Sequence, residues 1–218
     1  MIVGQFEVAQ TNVQLYRQLW DMGWTSADLE MLQSCYDLAT VSFAGLLRPS
    51  GKPFLAHLVG VASLTAIAGG AAEEVAAALL HSYRLRGVRV LGRRVPLLRP
   101  AFPADLDDAV RSSIEHYERW HRSLRTGNLI EICVDSPSVA DRKALLLHIA
   151  NELEEVVDDS ALLSGSPKRS REYLQRLLGM ATDLGFSEFA VRIEALLEDS
   201  RKSLPLSLFR QRSSSFEP

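Results

Sequence analysis

At 218 residues the chain is long enough for one globular domain, or one domain with a helical extension, and too short for a second full domain. Its 27 acidic and 24 basic residues give a net charge of −3, and 47% hydrophobic with 23% charged residues is the balance of an ordinary folded protein. Bulk charge therefore gives no ground for a nucleic-acid polymer or a membrane surface as partner.

The first ten residues lack a basic segment followed by an apolar core, and no apolar run reaches the ~18 residues that a membrane span needs. The nearest candidate, residues 54–72, is interrupted by His57, Ser63 and Thr65 and reads as a core helix. Cys35 and Cys133 lie far apart in apolar settings without metal-binding spacing, which fits buried thiols in a reducing cytoplasm.

Thr25 is a good N-cap, with Asp28 in the first turn, and Leu29, Leu32, Tyr36, Ala39, Phe43 and Leu46 recur at helical spacing, which predicts a helix over 26–46. The run from Arg48 to Pro53 stops it, because Pro49 cannot donate in a helix and Pro53 suits a first turn. A second helix is expected over 54–68. Gly69-Gly70 breaks that one, and an alanine-rich third helix, with Glu73 and Glu74 at its positive end, closes near His81.

Residues 84–103 hold three prolines and two glycines around Val88-Arg89-Val90 and Val95-Pro96-Leu97, a loop or short hairpin. A further helix over 105–122 carries Leu106, Val110, Ile114, Tyr117 and His121 on one face, and another begins near Ser138 and reaches about 158. After a linker at 164–167, the residues Tyr173, Leu174, Leu177 and Leu178, then Phe189, Ile193, Leu196 and Leu197, read as two antiparallel helices around Gly185. Trp20, Trp24 and Trp120 each adjoin a helix face and read as packing residues. The serine-rich end reads as a disordered tail.

The chemistry is concentrated in Arg48-Pro49-Ser50-Gly51-Lys52-Pro53-Phe54-Leu55-Ala56-His57, then Ala76-Ala77-Ala78-Leu79-Leu80-His81, then a segment from Asp141 to Asn151 containing Leu145-Leu146-Leu147-His148-Ile149-Ala150. In order and spacing these resemble the HD (His-Asp) domain of RelA/SpoT alarmone hydrolases, over roughly residues 26–160. The resemblance implies an all-α, HD-domain-like helical bundle over 1–160, with the C-terminal helical hairpin as an extension over 161–204 and the tail at 205–218. It also implies a divalent-cation site for Mn, Fe or Zn built from His57, His81, the residue after His81 and the residue at 151.

In that frame the family's two aspartate ligands fall on Ser82 and Asn151, so both anionic ligands have become neutral oxygen donors. At an effective dielectric near 20, each lost carboxylate forfeits roughly 4 kcal/mol of attraction for a cation at ligand distance. The family's acidic pair beyond the His-Asp falls on Leu85 and Arg86, removing the groups that would position an attacking water. Glu152 and Glu155 follow Asn151 within about a turn and are the candidate catalytic acids of a rebuilt site, unless they are solvent-facing helix glutamates. His57 and His81 read either as descendants of the metal site or as core histidines, and His148 as a packing residue or a replacement ligand.

Arg48, Ser50 and Lys52 form the candidate anion-binding half of the pocket, at the start of a helix whose free amides suit a phosphate; the alternative is a structural turn held by Gly51. Arg84 and Arg86 lead an arginine-rich stretch that would hang over the pocket or simply face solvent. No P-loop, GxGxxG, GxSxG, HExxH or EF-hand pattern occurs, and the synthetase half of long RelA/SpoT proteins has no room, so a stand-alone unit is expected. The functional expectation is a degenerate HD-domain module that binds a phosphorylated small molecule or nucleotide without hydrolysing it. The alternatives are a divergent metal-dependent phosphohydrolase and a helical scaffold whose C-terminal hairpin binds a protein or a second copy of the chain.

Overall fold

In the computed structural model, which describes residues 7–48, 50–84, 87–90, 93–96, 101–125, 137–158 and 171–202, the chain runs α1 (Asn12–Asp21), α2 (Ser26–Phe43), α3 (Phe54–Ile67), α4 (Ala72–Leu80), β1 (Gly87–Val90), β2 (Arg93–Pro96), α5 (Asp108–Arg125), α6 (Val139–Asp158), α7 (Arg171–Asp183) and α8 (Ser187–Lys202). The expected all-α bundle forms. Its one β element among the described residues is a two-stranded antiparallel hairpin, Val88 opposite Val95, in the stretch expected as loop or hairpin. The linker at 164–167, the tail at 205–218, Leu85, Arg86 and Cys133 lie outside the described residues.

Helix α3 is apolar all round, so it must sit inside: every residue from 57 to 66 is buried, and α1, α2, α4 and α6 pack around it. Ala76, Ala77 and Ala78 are fully buried on α4, and their small side chains let α2, α3 and α5 approach it closely. Ser63, in the middle of α3, is satisfied by Gln18 of α1: its hydroxyl donates to Gln18 Oε1 at 2.6 Å and accepts from the Ala9 N–H at 3.0 Å.

Helix α1 goes beyond the elements expected from periodicity. Its signal is local, a capping box in which Thr11 accepts from the Gln14 N–H and the Gln14 side chain accepts from the Thr11 N–H, with Leu15 and Leu19 buried behind it. Trp20 on that helix is 62% exposed and does not pack, whereas Trp120 is buried. Helix α2 starts on the Thr25–Asp28 capping box and stops at Phe43 rather than 46, because Gly45 turns left-handed with φ 74°.

Helix α6 starts on Ser138, whose N–H donates to Asp141 Oδ2 at 3.2 Å. The other Asp141 oxygen accepts from Trp120 Nε1 at 2.9 Å and His116 Nε2 at 3.1 Å, which ties α5 to α6. The Ser138 hydrogen bond first, then those from Trp120 and His116, bring the Asp141 carboxyl down to about 2. Lys143 bridges from α6 to Glu73 at 3.0 Å and to Glu74 at the start of α4. The α7–α8 pair folds back on itself at Gly185 (φ 69°) and docks on α6 through the Tyr173 hydroxyl on Glu152 and the Arg142 guanidinium 4.7 Å over the Phe186 ring.

Candidate functional site

Three elements converge on the site: the loop over 47–53 that feeds α3, the C-terminal end of α4, and the last turns of α6. The loop closes on itself. Leu47 bridges Pro53, the Arg48 N–H donates to the Lys52 carbonyl at 2.8 Å, and the Gly51 N–H to the Arg48 carbonyl at 2.9 Å, with Gly51 at φ 88°. The Lys52 N–H reaches Ser50 Oγ at 3.4 Å and the Phe54 N–H donates to the Leu46 carbonyl at 2.9 Å. The helix begins at Phe54, after this loop, and the Arg48, Gly51, Lys52 and Phe54 amides each have an acceptor within the chain.

His57, one turn into α3, and His81, the C-cap of α4, meet edge to face with ring centroids 5.5 Å apart, both buried. The row continues from His81 to Tyr117 of α5 at 5.5 Å and from Tyr117 to His121 at 5.5 Å. His81 Nδ1 lies 2.7 Å from the Ala78 carbonyl; a carbonyl only accepts, so Nδ1 carries the proton and Nε2 keeps the lone pair. Burial, then the neighbouring His57, push His81 down to about 3 against that hydrogen bond, so it is neutral. Burial likewise raises the Tyr117 hydroxyl well above its ordinary value, followed by the charges of Glu152, Glu155 and Glu118.

The residue that ties the loop to His57 is Glu154. Its Oε2 pairs with His57 Nδ1 and its Oε1 with Lys52 Nζ, and its side chain is 3% exposed. Burial alone would raise this carboxyl; the His57 and Lys52 contacts outweigh it and hold the group below its ordinary value. Gly60, one turn beyond His57 on α3, makes the room: a Cβ there would stand 2.9 Å from Glu154 Cγ and 3.0 Å from its Oε1. Glycine on an otherwise bulky buried helix, three residues from His57, is the sequence signal that could have pointed to this close approach.

The flanking acids go elsewhere. Glu152, also buried, accepts from the Tyr173 hydroxyl, and Glu155 pairs with the Arg48 guanidinium at 3.2 Å across the rim of the loop. Arg84 lies over the Phe102 ring at 5.0 Å and pairs with Glu115 at 2.9 Å and Glu118 at 3.7 Å, all away from the loop over 47–53. Ser82 is half-buried beside His81. Asn151 is buried on α6 one turn before Glu154, and among the described residues its Oδ1 has no hydrogen-bond partner. His148 lies a further turn back, its ring 6.4 Å from that of His121.

Whether these residues suit a divalent cation is decided by the donor set. Two neutral imidazoles, a hydroxyl and an amide oxygen would leave a dication's charge uncancelled, and the one acid against His57 is already held at both oxygens. Among the described residues no three His, Cys, Asp or Glu side chains stand close enough to share an ion. The site does not fit the cation the resemblance implies.

No protein-family model matches the chain. Over 74 residues, 34% of its length, it is 35% identical to a protein of Mycobacterium tuberculosis named bifunctional (p)ppGpp synthase/hydrolase RelA, of which the match covers 10%. An equal identity over 74 residues relates it to a probable GTP pyrophosphokinase of Mycobacterium bovis, of which 9% is covered. The chain thus spans about a tenth of the curated relatives it matches. The similarity to RelA/SpoT-type proteins therefore holds for a third of the chain. Among the described residues no helix is long and apolar enough to cross a membrane.

Proposed function

We propose that the chain is a degenerate HD-type domain, working in the cytoplasm, that binds a phosphorylated small molecule or nucleotide and does not hydrolyse it. The observation that carries this reading is the Lys52–Glu154–His57 cluster. Water activation in such a site needs anionic ligands around a cation. Here the acid beside the first histidine neutralises a lysine, and the positions after His81 and at 151 are neutral. Lys52 and Glu154 balance each other's charge within the chain. Arg48 and Lys52, both partly exposed on the loop over 47–53, are the cations that would meet a ligand. Partial similarity to proteins named for guanosine polyphosphate chemistry favours a nucleotide phosphate as the class of ligand.

A rebuilt phosphohydrolase is the second reading, and one observation favours it: Glu154 is an acid in contact with His57, whose ring packs on that of His81, and such a site would need an acid there. Calorimetric titration with GDP and with inorganic pyrophosphate, beside a phosphate-release assay in Mn²⁺, separates the two. The expected outcome is saturable binding that Arg48→Ala weakens, with no release. One tightly held Mn²⁺ with turnover that His57→Ala abolishes would overturn the proposal in favour of the hydrolase.

A further inference from the structure

We infer that the cavity between α2 and the segment over 103–107 binds a small aliphatic polyamine, with ammonium groups on Asp105 and Asp107 and methylenes on the apolar lining. The site shares no residue with the loop over 47–53, His57 or His81, so it is independent of the ligand-binding reading above.

The cavity measures about 400 Å³, within the range of small-molecule pockets. Met31 and Leu38 of α2 and Leu106 of the facing segment line it with half-buried apolar side chains, around the buried Cys35 thiol. Its two charged residues, Asp105 and Asp107, are exposed acids. Among the described residues that line it there is no lysine, arginine or histidine, so the lining carries two negative charges and no positive one.

The wall that bears the acids is fixed from behind. Arg111 Nη2 donates to the Pro103 carbonyl at 3.2 Å and the Leu106 carbonyl at 3.3 Å, and the Leu106 N–H closes the turn on Pro103 at 3.2 Å. Phe102, just before it, stacks on Tyr83 at 5.7 Å and lies under the Arg84 and Arg111 guanidinium groups. Asp107 Oδ1 accepts from the Ala109 and Val110 N–H groups at 2.8 and 3.1 Å, which holds its carboxylate at the start of α5. That charge is felt inside the cavity: burial first, then Asp107, push the Cys35 thiol up to about 12.

These features choose the ligand. Two acids repel anions, and among the described residues no third metal-ligating side chain stands close enough to share an ion. A neutral apolar molecule would cover the lining and leave both carboxylates unanswered. A methylene chain with an ammonium at each end does both: the methylenes supply affinity by leaving water, and the carboxylates select the cation.

The test is calorimetric titration of the full chain with spermidine at low ionic strength. Saturable one-to-one binding is expected, weakened about tenfold in Asp105→Asn/Asp107→Asn. Asparagine caps a helix as well as aspartate does, so this variant keeps the start of α5. Asp183→Asn with Glu188→Gln removes the same charge from exposed positions on α7 and α8 and should bind as the parent does. Mg²⁺ at equal concentration should leave spermidine bound. The absence of saturable binding, or unchanged binding in Asp105→Asn/Asp107→Asn, would overturn the inference. So would an equal loss in the two double variants or displacement by equimolar Mg²⁺, because either marks general attraction to an acidic surface.

Discussion

Replacing Glu154 by Gln removes the negative charge from the Lys52–Glu154–His57 cluster and nearly preserves the shape of the side chain. The structure sets the size of the effect. Glu154 is 3% exposed, His57 1% and Lys52 16%, so the loss leaves an ammonium in a mostly dry setting and an imidazole without its carboxylate. Removing one partner of a buried pair costs about 3–5 kcal/mol. Lys52 can reach some water, so the lower end applies, about 3 kcal/mol. That the carboxyl stays below its ordinary value despite burial fixes the sign, because the His57 and Lys52 contacts more than offset desolvation. For a chain of this size about 3 kcal/mol lowers the Tm by roughly 6–12 °C. Lys52→Met in the same background removes the stranded charge, so the double variant should be more stable than the sum of the two single losses by about 2 kcal/mol. Thermal and urea unfolding of the four proteins measures this. A Glu154→Gln protein within about 0.5 kcal/mol of the parent, or strictly additive losses, would show that the cluster is not a coupled buried unit.

Asp141→Ala removes the acceptor of the Ser138 N–H at the start of α6 and both hydrogen bonds from α5, and should cost about 2 kcal/mol at neutral pH. Because the folded carboxyl is depressed to about 2 from 3.8, its contribution is present above pH 4 and is lost as pH falls toward 2, so parent and variant should converge in acid denaturation over that window. Ser82→Asp with Asn151→Asp puts a carboxylate back at both of the positions that the resemblance assigns to anionic ligands. This double variant should take up one Mn²⁺ or Zn²⁺ by elemental analysis where the parent takes up none, and equal metal content in the two would refute the charge argument. Tyr173→Phe removes a hydrogen bond to buried Glu152 and should cost about 1–3 kcal/mol, with hydrogen exchange accelerated in α7 and α8 before the rest of the bundle.

Much of the bundle is legible in residue order because its signals are local. Thr25 with Asp28 marks the start of α2, Ser138 the start of α6 and Gly185 the turn between α7 and α8. The largely apolar character of 54–67, on every face of the helix, forces α3 inside. Helix α1 escapes a periodicity argument because its buried face is short and includes Gln18, whose partner Ser63 lies 45 residues away. The site divides in the same manner. His57 and His81, and the neutral Ser82 and Asn151, follow from identity and spacing. Among the three glutamates that follow Asn151, the choice of Glu154 does not.

What the sequence by itself determined is which side chains are available: two histidines on successive helix ends, no carboxylate after the second, and a loop carrying Arg48 and Lys52. Tertiary structure alone decided who neutralises whom. Adjacent residues on a helix point about 100° apart, so the rotation of α6 against α3 selects which acid faces inward. That rotation is set by Gly60, which leaves space for one side chain, and by Lys52, which meets Glu154 across 102 residues of chain. Contacts at that separation arise from packing, and no local pattern encodes them.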